Sequence, residues 1–193
     1  MTRAPSKRWW VGIVAIGALG LAPATLRAQD SLEYPVKAAF LSKFASYVQW
    51  PTGDRAPGAP INLCVVGEGG FGDMVQSAVD GQRGSGLALV VSRHLRAPRQ
   101  GCDVLFAGGS GQESVQESLR AVAGRPVLTV TDERRGAGRG MLHFTVHQGR
   151  VRFHIDARAA RGSGLSISSK LLSLALSVRA GWAPPEQRSV DHG

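Results

Sequence analysis

The chain has 193 residues, of which 43% are apolar and 19% charged. That balance supports one domain of ordinary size with a sizeable core and excludes global disorder. A formal charge of +9 would suit nucleic acid or an anionic surface, but much of it sits in a segment that does not belong to the domain.

That segment comes first. Arg3, Lys7 and Arg8 form a basic start, and Trp9 to Ala22 is an apolar run of 14 residues. The run is short of the ~20 residues needed to span a membrane and matches the apolar region of a secretory leader. Residues 1–28 are therefore read as a signal peptide cut after Ala28, with Ala24 the alternative cleavage point, and residues 29–193 as the domain. A retained N-terminal anchor is the competing reading. Losing residues 1–28 removes four basic residues and no acid, so the charge falls to +5. Export argues against nucleic acid as a partner and leaves lipid headgroups or an acidic protein surface. The two cysteines, Cys64 and Cys102, most simply read as one disulfide in an exported chain, two free thiols being the alternative.

Asp30 and Glu33 have capping-box spacing, and Pro35 suits a first helical turn. Val36, Phe40, Phe44, Tyr47 and Val48 then line one face, with Lys37, Ser42 and Lys43 mostly opposite, up to a break at Trp50-Pro51. Ile61–Val66 and Leu87–Ser92 read as strands covered on both faces, Asp103–Ala107 as a third and Val127–Thr131 as a fourth. Between them, Phe71–Val79 and Gln112–Ala123 read as helices. Strands alternating with helices imply an α/β fold with parallel pairings. The pattern then changes. Met141–His147 and Arg150–Ile155 alternate across a Gln148-Gly149 turn, as in a hairpin. In that register Leu142, Phe144, Val146, Val151, Phe153 and Ile155 share the core face. His143, Thr145 and His147 lie opposite His154, Arg152 and Arg150 on a face expected to meet solvent. A strongly apolar helix follows from Ile167 through Leu171, Leu174 and Val178. The expectation is a single α/β domain: a mixed sheet of about six strands flanked by helices, with a C-terminal antiparallel hairpin and apolar helix.

No motif makes a strong case for an enzyme. Gly67-Glu68-Gly69-Gly70-Phe71-Gly72 satisfies the dinucleotide pattern G-x-G-x-x-G, and Arg93 could meet a 2′-phosphate, but the second strand ends without an acid for a ribose. A glycine-rich turn is the better reading, and no cofactor is expected. His143, His147 and His154 could in principle hold zinc or copper. Arg150 and Arg152 on the same face would repel a cation, so no metal is expected. Arg134, Arg135 and Arg139 read as a mobile basic loop suited to a membrane surface or an acidic partner. No serine sits in a nucleophile elbow. Asp103, Asp132 and Asp156 stand at strand ends, where capping is favoured over paired acid–base work. No catalytic residue is assigned.

Several stretches in order resemble the YfiR family of small periplasmic proteins: Lys37–Pro51 (KAAFLSKFASYVQWP), Leu63–Gly67 (LCVVG), Gly101–Phe106 (GCDVLF), Pro126–Asp132 (PVLTVTD), Met141–Phe144 and Phe153–Ala175 with GLSISSKLLSLA. The resemblance covers nearly all of the chain after the leader and puts both cysteines where that family has a strand-linked pair. It implies a mixed α/β fold, often dimeric, and a repressor that binds the periplasmic portion of an inner-membrane diguanylate cyclase, lowering cyclic di-GMP and biofilm formation. By the same resemblance, Leu165, Ile167 and Leu171 are the candidates for exposed partner contact, leaving Leu174, Ala175 and Val178 as core. The GEGGFG segment departs from the family pattern, and a second cysteine pair found in some relatives is absent. Two readings stand beside the repressor: a periplasmic small-molecule binding module with its ligand near Gly67–Gly72, and an envelope adaptor without cyclase control.

Overall fold

The computed structural model describes residues 25–180 apart from 54–55, 57, 83–86, 111 and 136–137, with side-chain surroundings from Leu32 onward. The expected leader therefore lies almost wholly outside the described residues.

The fold is α/β. A seven-stranded mixed sheet has the order β3-β2-β4-β5-β6-β7-β9, built from β2 (Ile61–Val66), β3 (Leu89–His94), β4 (Val104–Ala107), β5 (Leu128–Asp132), β6 (Leu142–His147), β7 (Arg150–Asp156) and β9 (Ser177–Arg179). Strands β3, β2, β4, β5 and β6 are mutually parallel, β7 runs antiparallel to β6, and β9 runs parallel to β7. A two-stranded antiparallel patch, β1 (Val48–Gln49) with β8 (Ser166–Ile167), stands apart. Helices α1 (Thr25–Phe44) and α2 (Phe71–Asp80) share a core with one face of the sheet, and α3 (Val115–Ala121) packs towards the other. Two short helices, α4 (Ala157–Gly162) and α5 (Ser169–Leu174), follow the hairpin.

Helix α1 starts upstream of the expected capping box and carries Pro35 within it. The Glu33 carboxylate accepts from Lys37 and pairs with Arg134 instead of turning back to cap the helix. Its buried face is also rotated. Val36 is 40% exposed, whereas Lys37 and Ser42, expected outside, are buried with Ala38, Leu41 and Phe44. Phe40 and Phe44 meet Phe144 and Phe153 of the hairpin, with centroids as close as 5.2 Å for Phe44–Phe153. Four aromatic rings in one cluster, Phe44, Phe144 and Phe153 buried and Phe40 half-buried, form an apolar tie between α1 and the sheet.

The hairpin has the expected register, His143 opposite His154 and Phe144 opposite Phe153. Gln148 and Gly149 both have positive φ, 51° and 70°, as a two-residue type I′ turn requires. Strand β3 corrects an expectation. It is an edge strand, paired with β2 alone, and Val90 is half exposed. An unbroken apolar run does not say whether a second neighbour or layer covers it.

Gly67, which opens the glycine-rich turn after β2, has a packing explanation. Gly108 donates its N–H to the Val66 carbonyl at 2.8 Å, and a Cβ on Gly108 would fall 2.7 Å from that same oxygen. Gly67, with φ 155°, faces the Gly109 carbonyl across the same contact. The ends of β2 and β4 thus approach too closely for side chains. Arg93, the sequence candidate for a phosphate, is ion-paired with Asp73.

Cys64 and Cys102 are joined in a disulfide with Cα atoms 5.8 Å apart. The bond fastens β2 to the chain entering β4, among Val66, Leu105, Val122 and Val127 on the α3 side of the sheet.

Candidate functional site

The structure first relocates the residues singled out for partner contact. Leu165 and Leu171 are 1% and 2% exposed and belong to the main core. Gly164, with φ 77°, turns the chain after α4, and Leu165 donates its N–H back to Ala160 at 2.9 Å. The chain then passes beneath the end of α1, where Ile167 pairs with Val48 and the Ser168 N–H reaches the Tyr47 carbonyl at 2.9 Å. Ser168 caps α5 through the Leu171 N–H. This return path buries Leu165 and Leu171 and leaves Ile167 half-buried. The expectation that the three form an exposed patch is overturned for Leu165 and Leu171.

The residues expected in the core move the other way. The apolar helix ends at Leu174, and the chain crosses to the sheet edge as β9, with the Leu176 N–H on the Phe153 carbonyl at 2.8 Å. Leu174 and Val178 are 51% and 38% exposed as a result, and Ala175 is half-buried. Helical spacing across Ile167–Val178 failed to report that hydrogen bonds to β7 compete for the last turn.

The surface best suited to a partner lies elsewhere. Leu32 (65% exposed), Val36 and Phe40 on α1 face Val146 and Val151 at the hairpin tip, forming an apolar groove of about 440 Å³ rimmed by Glu33, Arg134 and Arg150. Exposed apolar residues gathered in one depression mark interaction surfaces more reliably than residues scattered singly.

Beneath its rim sits a buried ionic cluster. Lys37 is fully buried and donates to Asp132 at 2.7 Å and to Glu33. Arg134 pairs with the other Glu33 oxygen at 3.0 Å, and its N–H donates to Asp132 at 3.1 Å. Arg135 lies over the Tyr34 ring, 5.4 Å from its centroid. Two of the three arginines read as a mobile loop are therefore docked on α1. Glu133, between them and Asp132, accepts from Thr145 at 2.6 Å and from the Val146 N–H at 2.5 Å. Burial works to raise the Glu133 pKa, but these two hydrogen bonds prevail and hold it below its ordinary value. Sequence reasoning missed this cluster. The i,i+4 spacing of Glu33 and Lys37 was a local signal, whereas Asp132 is 95 residues from Lys37.

The polar hairpin face is not simply solvated either. His143 is 4% exposed and its Nδ1 lies 2.8 Å from the Thr131 hydroxyl. Burial first, then the positive charge of Arg139 and His154, lowers its pKa below the ordinary 6.5. The folded chain thus holds the ring neutral while the unfolded chain protonates it first as pH falls. Stability contributed by the neutral ring is present above pH 6.5 and is lost as pH falls from there towards the lowered folded value. The melting temperature is expected to rise between about pH 5 and pH 7, with a shallower slope in His143→Gln. An unchanged slope in that variant would remove His143 from the account. His143 and His154 rings are 6.5 Å apart, and among the described residues no three of His, Cys, Asp or Glu gather as a metal-binding group.

A protein-family model described as YfiR/HmsC-like matches residues 34–176. The match begins at Tyr34 in α1, takes in both cysteines and the hairpin, and ends just before β9. It spans well over half of the sequence and the whole of the sheet except that last strand. The chain belongs to the YfiR/HmsC-like family.

Proposed function

We propose that this chain is a non-enzymatic periplasmic regulator that binds the periplasmic portion of an inner-membrane diguanylate cyclase and represses it, lowering cyclic di-GMP and biofilm formation. The observation that carries the reading is the family match over residues 34–176, since the family is one of periplasmic regulators of cyclic di-GMP cyclases. Residues 1–28 supply the export signal in this reading. No described helix is long and apolar enough to cross a membrane.

We place the contact on the α1–hairpin groove, because a repressor of this kind works by covering a partner's surface, and Leu165 and Leu171 are not available to cover anything. The groove supplies apolar area at Leu32, Val36 and Phe40, and its arginine rim favours an acidic partner and speeds encounter. Ile167 keeps some exposed surface and serves as the comparison site. Pull-down of the membrane fraction, with the cyclase identified by mass spectrometry, is expected to lose the cyclase with Val36→Asp and retain it with Ile167→Asp. Cellular cyclic di-GMP should rise in the Val36→Asp strain and in a deletion strain alike. Loss with Ile167→Asp alone would return the contact to the C-terminal segment. Unchanged cyclic di-GMP on deletion would favour an envelope adaptor.

A further inference from the structure

The polar face of the hairpin floors a cleft of about 470 Å³, walled by the end of α3 on one side and by α4 and β9 on the other. That volume is within the range of small-molecule sites. Its floor carries two imidazoles, each held by a hydroxyl at one nitrogen: His143 Nδ1 by Thr131 at 2.8 Å and His154 Nδ1 by Ser177 at 2.6 Å. Thr131 already accepts the Gly140 N–H at 2.9 Å. In the tautomer that takes the Thr131 proton at Nδ1, the neutral His143 ring presents Nε2–H as a donor on its far edge. That Nε2 has no hydrogen-bond partner among the described residues.

The charged residues lining the cleft have one sign in excess. Arg139 and Arg179 line the cleft, and Asp156 is the one carboxylate among its lining residues. Asp156 is already engaged, accepting from the Ala159 N–H at 2.9 Å and facing Arg179 at 3.5 Å. Leu119, Val122 and Met141 add apolar side chains to the lining. Donors and positive charge interleaved with apolar side chains describe a site for an amphipathic anion. A metal cation would meet two guanidinium groups.

We infer that this cleft binds a small organic anion with an apolar body, its charged end held by His143, His154 and Arg139. The inference stands apart from the cyclase reading, since no partner enters its test. Benzoate, phenyl phosphate and the neutral benzamide are titrated into the exported full chain while the histidine ring resonances are followed by NMR. Benzoate and phenyl phosphate are expected to shift His143 and His154 and to leave His147, at the exposed hairpin tip, unmoved. Benzamide at equal concentration should shift neither. Arg139→Gln and His154→Gln, both at positions open to solvent, should each weaken benzoate binding about tenfold, the loss expected for one charge-assisted hydrogen bond. Benzamide binding as well as benzoate, His147 shifting as far as His143, both variants binding like the parent, or no response at millimolar benzoate would each overturn the assignment.

Discussion

Lys37→Ala is expected to cost about 3–5 kcal/mol of folding stability, because it strands the fully buried Asp132 carboxylate without its cation. For a domain of this size that corresponds to a melting temperature lower by roughly 6–20 °C. The argument rests on asymmetry. A buried ion pair contributes little net stability over an apolar pair of the same shape, but removing one partner leaves an uncompensated charge. Glu33 suffers less, since Arg134 still holds its second oxygen. Lys37→Met, which keeps most of the stem volume, should lose nearly as much as Lys37→Ala. Adding Asp132→Asn to Lys37→Met should then recover part of the loss, because the amide oxygen can still accept the Arg134 N–H while no charge is left unpaired. A coupling of about 1–3 kcal/mol is expected for groups in one network. Strictly additive effects in chemical denaturation would show that the two residues are stabilised independently. The functional corollary follows from position. The cluster fixes the middle of α1 against the end of β5, and that stretch carries Leu32 and Val36 of the groove.

Cys64→Ala with Cys102→Ala is the second large effect. Closing a separation of 38 residues removes unfolded-state entropy worth about 3–4 kcal/mol on the chain-entropy model, and the double variant is expected to lose that much. Truncating two buried sulfurs adds a packing loss, since both side chains sit against Leu105, Val122 and Val127. Reduction of the parent protein in denaturant isolates the entropic part, because no atoms beyond the bond are lost. If the reduced parent and the oxidised parent unfold at the same denaturant concentration, the bond contributes nothing. Intact mass after alkylation of the native exported protein should show no accessible thiol, and two modified thiols would contradict the bond itself.

Legibility in the sequence followed the range of the interaction. The hairpin was readable down to its register, because alternation over Leu142–His147 and Arg150–Ile155 and the Gln148-Gly149 turn are all local. The alternating helices and strands of the α/β layer were readable for the same reason, with ends displaced by a few residues. The capping box of α3 was not singled out, although Ser114 and Glu117 cap each other reciprocally. The sites fared worse. Leu165 and Leu171 were assigned to the surface and Leu174 and Val178 to the core, the reverse of what burial shows. Lys37, placed on the polar face opposite Val36, Phe40 and Phe44, is fully buried.

Composition, period and spacing by themselves determined the fold class, the disulfide partners and the pairing of the hairpin. Each depends on residues adjacent in sequence, on a turn between them, or on there being two cysteines to join. Only the tertiary structure decided which faces are covered. Periodicity reports which side chains point the same way, but what lies over them comes from distant chain: Asp132 reaches Lys37 across 95 residues, β8 returns to pair with β1, and β9 draws the last helical turn onto β7. Those long-range closures turned a charged helix position into a buried clamp and a solvent face into a cleft. They also buried Leu165 and Leu171 of the C-terminal segment and left Leu32 and Val36 of α1 exposed beside the hairpin tip.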